Sequence, residues 1–267
     1  MEKITSRDNQ KIKFAGRVRD GKADELLFIE GLRLAEEALR SNLNISEIFF
    51  TEDFAESERG KAFLKKAGEG NFYEASENVF NSISDTKHSQ GVIVIASKPE
   101  TGKSVVEAKL PNEAREFPLV VLLHQINNPS NLGAILRTCE AAGVSGVVLT
   151  KNSADVFSPK ALRGAMGASF RLAIWNDADF FDALNWANEK DFVSVYADAG
   201  AEKSYAEIDW ETPRLVIFGS EAHGLSKREK ASVIEEMKIP MENDVESLNL
   251  AVSCGVILFE AKRRRIN

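Results

Sequence analysis

From Leu119 onward the chain alternates short apolar runs with amphipathic stretches, and that alternation restricts the fold more than any other feature. The apolar runs Leu119–Leu123, Val147–Thr150, Arg171–Ile174, Phe192–Ala197, Arg214–Phe218 and Met237–Ile239 have strand length. Between them lie helical spacings over Leu132–Ala142, Pro159–Gly167, Phe180–Glu189 and Lys227–Val233. Repeated strand–helix–strand units require crossover connections, so the pattern predicts a parallel sheet covered on both faces. A last helix, Leu248–Arg263, is apolar almost all round from Leu250 to Phe259 and must be buried by the domain or by a second subunit.

The first half alternates less cleanly. It reads as helix Ile4–Arg19, strand Leu26–Glu30, helix Gly31–Arg40, strand Ile45–Phe50 and helix Glu56–Ala67. A strand around Phe72–Glu74, a helix after Ser76 and a strand Gly91–Ala96 follow. Turn formers and charges interrupt the pattern after Ser97, which places an N-terminal domain at 1–98, a linker at 99–116 and a second domain at 117–267.

Composition narrows the class. The 267 residues are 43% hydrophobic and 28% charged, as in globular proteins. The apolar run Leu250–Phe259 is too short to span a bilayer, and Met1–Asp8 has no apolar core of a secretory signal, so the expectation is a cytoplasmic protein with no membrane contact. Cys139 and Cys254 fall among apolar helix residues and read as buried thiols. His88, His124 and His223 do not join them at metal-ligand spacing, so no metal is expected. The net charge is -7, but residues 1–22 carry +4 and Lys262–Arg265 another +4, leaving -15 on the rest. Basic ends on an acidic body suit either contacts to a phosphate backbone or solvated tails.

Three segments at predicted strand ends carry the chemistry. In Asn131-Leu-Gly133-Ala-Ile-Leu-Arg137, Leu132, Ile135, Leu136 and Cys139 form a core face. Gly133, Arg137 and Glu140 share another stripe, with Ser130 or Asn131 as helix cap. Arg137 suits a phosphate or carboxylate; the alternative is a surface pair with Glu140. In Gly219-Ser-Glu221-Ala-His-Gly224 two glycines permit close backbone approach around a carboxylate, or simply form a tight turn. In Ile239-Pro240-Met241 and Glu246-Ser247-Leu248-Asn249, Ser247 reads as the cap of the last helix. Asn249 then offers an amide that donates and accepts at once. Ligands of open α/β sheets bind at strand carboxyl ends, so the three segments predict one composite site. No dinucleotide fingerprint, phosphate loop or nucleophile elbow is present, which removes support for hydride transfer, nucleotide hydrolysis and acyl transfer.

Taken together and in this order, the segments resemble the SpoU (TrmH-type) RNA 2'-O-ribose methyltransferases of the SPOUT class, over about 117–267. Ile4, Ser6, Asn9, Ile12-Lys13, Glu30-Gly31, Arg33-Leu34, Glu36–Leu39 and Gln90-Gly91 are similar to that family's ribosomal-protein-like α/β RNA-binding domain. The resemblance implies an α/β sheet whose C-terminal part threads a trefoil knot, with S-adenosylmethionine (AdoMet) as cofactor. It implies cofactor contacts at Gly219, Glu221, Gly224, Ile239, Met241, Ser247 and Leu248. It also implies catalytic roles for Arg137, Asn131, Glu221, Ser247 and Asn249. Lys11, Lys13, Arg17, Arg33, Lys160 and Arg163 are the expected RNA contacts, and the 239–263 region the expected homodimer interface. Structured ribosomal RNA is the expected substrate, with a tRNA-acting enzyme or a catalytically silent RNA-binding protein as alternatives. His124 and Asn128 stand where many relatives carry Asp.

Overall fold

The computed structural model describes residues 2–110 and 117–266. The chain divides into two compact units, the first comprising Met1–Pro99 with Phe157–Phe170 and the second Glu100–Val156 with Arg171–Asn267.

In the first unit the elements are β1 (Glu2–Ile4), α1 (Gln10–Arg19), β2 (Leu26–Glu30), α2 (Leu32–Arg40), β3 (Ile45–Phe50), α3 (Glu52–Glu56), α4 (Glu58–Ala67), β4 (Asn71–Ala75), α5 (Glu77–Ile83) and β5 (Val92–Ser97). The sheet order is β1-β4-β3-β5-β2. β1, β4 and β3 run parallel, whereas β5 is antiparallel to both β3 and β2. Ile12, Ala15 and Val18 of α1 pack with Phe28, Phe49, Phe80 and Ile93 in its core.

Two helices of this unit differ from expectation. The leading helix begins at Gln10, not Ile4, because Asn9 caps it through a 2.8 Å hydrogen bond from the Lys11 N–H. Ile4 belongs instead to a strand in register with Ala75, a pairing set by residues about seventy positions away. The expected helix Glu56–Ala67 begins at Glu58, because Ser57 leaves helical geometry and caps α4 by accepting from the Gly60 N–H at 3.0 Å, and Glu56 ends the separate α3.

The second unit contains α6 (Lys103–Glu107), β6 (Leu119–Leu123), α7 (Pro129–Ala142) and β7 (Gly146–Thr150). After α8 (Pro159–Ala165) and α9 (Ala168–Arg171) it continues with β8 (Ile174–Ala178), α10 (Phe180–Glu189), β9 (Val193–Ala197), β10 (Arg214–Phe218), α11 (Lys227–Lys230), β11 (Glu235–Met237) and α12 (Leu250–Ile266). Its six strands are all parallel, in the order β11-β9-β10-β6-β7-β8. Every residue of β6, β7 and β10 is buried, as expected for parallel strands covered on both faces. From β6 the chain winds through β7 and β8 to one edge, then returns to place β9 and β10 on the other side. The switch point therefore lies between β6 and β10.

The expected linker 99–116 holds structure of its own. α6 buries Val106 in this core, and the Trp186 Nε1–H donates to Glu107 Oε1 at 2.9 Å. Residues 111–116 of that segment lie outside the described residues. Residues 157–170, expected within the C-terminal domain, belong to the first unit, where α8 contacts β2. The expected strand Arg171–Ile174 shifts to β8, because Ala168–Arg171 closes a helical turn and Arg171 pairs with Glu140. The expected strand Met237–Ile239 shifts to β11.

Candidate functional site

The three segments converge at the carboxyl ends of the second unit's strands. Phe218 and Leu123 are register partners at the ends of β10 and β6. Beyond β6 the chain turns and enters α7 through Asn128, whose side chain accepts from the Ser130 N–H at 2.9 Å, with Pro129 in the first helical position. Asn128 is therefore the cap, not Ser130 or Asn131, and the Asn131 side chain is available to the strand ends. Its Nδ2 donates to Glu221 Oε1 at 3.0 Å, and its Oδ1 accepts from Asn249 Nδ2 at 3.3 Å. One amide thus ties together all three segments.

Asn249, not Ser247, caps α12: it accepts the Ala251 N–H at its side chain (3.0 Å) and the Ser253 N–H at its carbonyl (2.9 Å). Its double use explains an asparagine at this position, since only an amide caps the helix with one atom and donates to Asn131 with the other. Ser247 is exposed on the wall of the adjacent cavity.

That cavity measures about 420 Å³ and is bounded by Gly219–Glu221 with Gly224, by Met237–Ile239 with Met241, and by Ser247–Leu250. Tyr196 to Ala199 and Ile257 complete it. Every residue assigned to the cofactor from the sequence lines it, and so does Asn249. The two glycines are there for space. A Cβ on Gly219 would sit 2.7 Å from the Gly224 carbonyl carbon, and one on Gly224, whose φ is +60°, would sit 2.6 Å from the Tyr196 hydroxyl. The size falls in the range of small-molecule sites, and the mixture of backbone, apolar Ile239, Met241 and Ile257, and polar Glu221 and Ser247 fits a nucleoside-bearing cofactor. Among the described residues no cluster of three or more His, Cys, Asp or Glu is placed to hold a metal ion.

Arg137 is exposed on α7, nearly two turns beyond Asn131. The alternative of a pair with Glu140 does not form, because the Arg171 guanidinium takes that carboxylate, its Nη2 donating at 2.9 Å. Behind Arg137, α7 packs closely on α12, with Gly255 against Thr138 and the thiols of Cys139 and Cys254 buried side by side. The neighbouring Cys139 and, after it, burial push the Cys254 thiol up.

All six cations expected at RNA fall in the first unit, but they are not equivalent. Arg17, Arg33 and Lys160 are exposed. Lys11 is committed inside the unit: Tyr73 and Glu47 raise its pKa, Glu47 lying 3.1 Å from its ammonium. Lys13 pairs with Asp8 at 2.9 Å and Arg163 with Asp85 at 2.8 Å. The C-terminal basic run is not a solvated tail either. Arg263 and Arg264 pair with Glu260, and Arg265 donates to the carbonyls of Trp210 and Thr212 at 2.9 and 3.2 Å. Sequence reasoning missed Tyr196, which reaches the cavity from β9 and accepts the Leu225 N–H at 3.2 Å. Its position in a plain apolar strand gives no signal.

A parallel α/β sheet with a composite cavity at the carboxyl ends of its strands is the arrangement of a ligand-binding open α/β domain. The chain belongs to the SpoU rRNA methylase family, whose model matches residues 118–259; residues 9–94 match the MRM3-like substrate binding domain. It is 31% identical to an uncharacterized tRNA/rRNA methyltransferase of Synechocystis sp., over 98% of this chain and 94% of that protein. It is 28% identical to the 23S rRNA (guanosine(2553)-2'-O)-methyltransferase of Bacillus subtilis, over 98% of this chain and 100% of the other. The AdoMet-bound rRNA methyltransferase from Sinorhizobium meliloti superposes with a TM-score of 0.83 at 26% identity, over 98% of this chain and 97% of that one.

Proposed function

We propose that this protein transfers a methyl group from AdoMet to a ribose 2'-hydroxyl of ribosomal RNA. The observation that carries this reading is the Glu221–Asn131–Asn249 bridge, which brings the substrate-facing helix α7 to the wall of the cofactor cavity. The family model, the substrate-binding domain match and the rRNA activity of the Bacillus relative support it.

AdoMet, when bound, supplies an electrophilic methyl on a sulfonium that leaves as a neutral thioether, so the protein's task is alignment and charge control. Gly219, Gly224, Ile239, Met241 and Leu248 would hold the cofactor, with Glu221 and Ser247 meeting its polar groups. Asn131 and Asn249 fix the edge of the cavity against α7. The guanidinium of Arg137 offers donors and no acceptor, so it is a clamp, not a base. It would hold the target phosphate and stabilise the alkoxide as the 2'-oxygen attacks. Alignment of two reactants in this way can supply roughly 7–11 kcal/mol. The hydroxyl proton leaves to solvent or to the RNA phosphate.

A homodimer, the C-terminal knot and a cytoplasmic location belong to the same proposal. Supporting the dimer, Val252 and Phe259 of α12 are 51% and 49% exposed. Sedimentation of the purified protein checks it, a monomer at micromolar concentration removing it. Nucleoside mapping of rRNA and tRNA from a deletion strain tests the substrate. Loss of one 2'-O-methyl mark from rRNA is expected; loss from tRNA alone redirects the assignment, and calorimetry showing no AdoMet binding overturns the enzyme.

A further inference from the structure

We propose that His124 is a positioning residue that couples the substrate-facing turn after β6 to the cofactor loop after β10 through a buried polar chain. The inference rests on the function proposed above and adds to it a route by which the two halves of the site are held together.

His124 directly follows β6 at the switch point and is 5% exposed, with its ring edge-on to Phe180. The ring is flanked on both sides. Its Nδ1 lies 3.2 Å from Thr150 Oγ1, and its Nε2 lies 3.4 Å from Glu229 Oε1. Thr150 is buried at the end of β7 and accepts the Gln125 N–H at 3.0 Å. Its hydroxyl has two acceptors in reach, His124 Nδ1 at the shorter distance and the Lys151 carbonyl at 3.4 Å; donation to Nδ1 puts the ring proton on Nε2, facing Glu229. Burial lowers the His124 pKa against the pull of Glu229, which favours the neutral ring. Burial pulls the Glu229 carboxyl up, but the hydrogen bonds with Ser226 outweigh it and hold its pKa below the ordinary value, with Asp179 as the opposing neighbour.

Each end of the chain reaches a functional segment. At one end is Gln125, a non-glycine residue with φ of +54°, in the left-handed region such residues rarely adopt. Strain of this kind persists only where surroundings enforce it. Thr150 does so here, helped by Ser153 Oγ, which accepts the Ile126 N–H at 3.3 Å. Three residues on, Asn128 caps the helix that bears Asn131 and Arg137. At the other end, Glu229 Oε2 accepts the Ser226 N–H at 2.7 Å, and the next residue back, Leu225, donates its N–H to Tyr196 on the cavity wall. The two ring nitrogens thus meet Thr150 at the end of β7 and Glu229 on α11, the elements whose hydrogen bonds hold the turn after β6 and the segment after β10.

The test uses Thr150→Val, which keeps the shape and removes the hydroxyl, Thr150→Ser, which restores it, and Glu229→Gln. With AdoMet saturating, Thr150→Val should lower kcat about 10- to 100-fold while AdoMet affinity holds, because misplacement by about an ångström costs that much. Thr150→Ser should recover most of the rate, and combining Thr150→Val with Glu229→Gln should cost little more than the worse single change. Amide exchange should quicken in Thr150→Val both at 125–131 and at 224–229. Wild-type kcat in Thr150→Val, additive losses, or exchange changed at only one end overturns the proposal. If the wild-type protein methylates no RNA, the enzymatic reading fails by itself, and the exchange pattern still decides the coupling.

Discussion

Both units open a cleft at the carboxyl ends of parallel strands, and the larger one is not the candidate site. The cleft of the first unit, about 780 Å³, is walled by Glu52, Asp53, Glu58, Glu74 and Glu77. Lys3 spans Glu52 and Glu74 there, at 3.5 and 2.8 Å. Such walls repel a polyanion, and none of the six cations expected at RNA lines them. The cavity of the second unit is about 420 Å³, but its walls are backbone exposed by glycine, apolar side chains and an amide bridge. Strand-end geometry is shared; in the second unit a turn closed by Gly219 and Gly224, packed on itself and on the Tyr196 hydroxyl, forms one wall of the cavity. Lining chemistry, not volume, separates the two.

The strongest way to test the comparison is at Arg137. Arg137→Ala should lower methyl transfer by about 10²–10³-fold, in line with loss of a charge-stabilising donor, while AdoMet binding by calorimetry persists. Retained turnover removes Arg137 from the mechanism. Next comes the glycine seat. Gly219→Ala forces a Cβ to 2.7 Å from the Gly224 backbone. It should lower stability by about 1–3 kcal/mol and weaken AdoMet by a similar free energy, measured by thermal unfolding with and without cofactor. An unchanged AdoMet affinity would make Gly219 a turn residue only.

The second unit is most legible in sequence where it is most regular. Buried central strands such as Leu119–Leu123 and, after Arg214, Leu215–Phe218 announce themselves by apolar runs, and their ends locate the site. The sheet's edges are harder to read. β8 carries Asn176 and Asp177, the latter at φ +53° beside a register shift, and β11 begins Glu235-Glu236. Edge strands face solvent and tolerate such residues, so their polarity hides them. The caps fall at Asn128 and Asn249, rather than at Ser130 or Asn131 and at Ser247, because several polar residues near each helix start compete. Only tertiary partners decide which one caps. β1 and the placement of 157–170 in the first unit depend on distant pairings that no local pattern encodes.

A smaller effect separates the cations of the first unit. Arg17→Glu with Arg33→Glu should weaken binding to structured RNA and lower the salt slope by roughly 1 for each phosphate no longer neutralised. Lys11→Gln should leave that slope unchanged and reduce stability, because Glu47 and Tyr73 already hold Lys11. Neutralising Glu52 and Glu58 in the acidic cleft should leave the slope unchanged as well. If it steepened instead, RNA would pass that cleft and the contrast between the two units would narrow.

The smallest effect concerns the C-terminal run, whose charge equals that of the first 22 residues but whose arginines are engaged with Glu260 and with the carbonyls of Trp210 and Thr212. Hydrogen bonds from Arg263 and then Arg264 hold the Glu260 carboxyl down to about 2. A carboxylate depressed in the folded state contributes stability that is whole above its ordinary value near 4.5 and is lost as pH falls toward about 2. The wild-type protein should therefore shed a small part of its stability across that window, and Glu260→Gln should flatten that part of the curve. The contribution is modest because these side chains meet solvent, where ion pairs are screened. Arg265 differs: burial, with Arg214 nearby, lowers its pKa to about 10, and its two carbonyl partners fasten the end of α12. Arg265→Ala should consequently destabilise the protein more than Glu260→Gln at neutral pH. The reverse order in thermal unfolding would mean that the run is held by its charge pairs and not by its buried anchor.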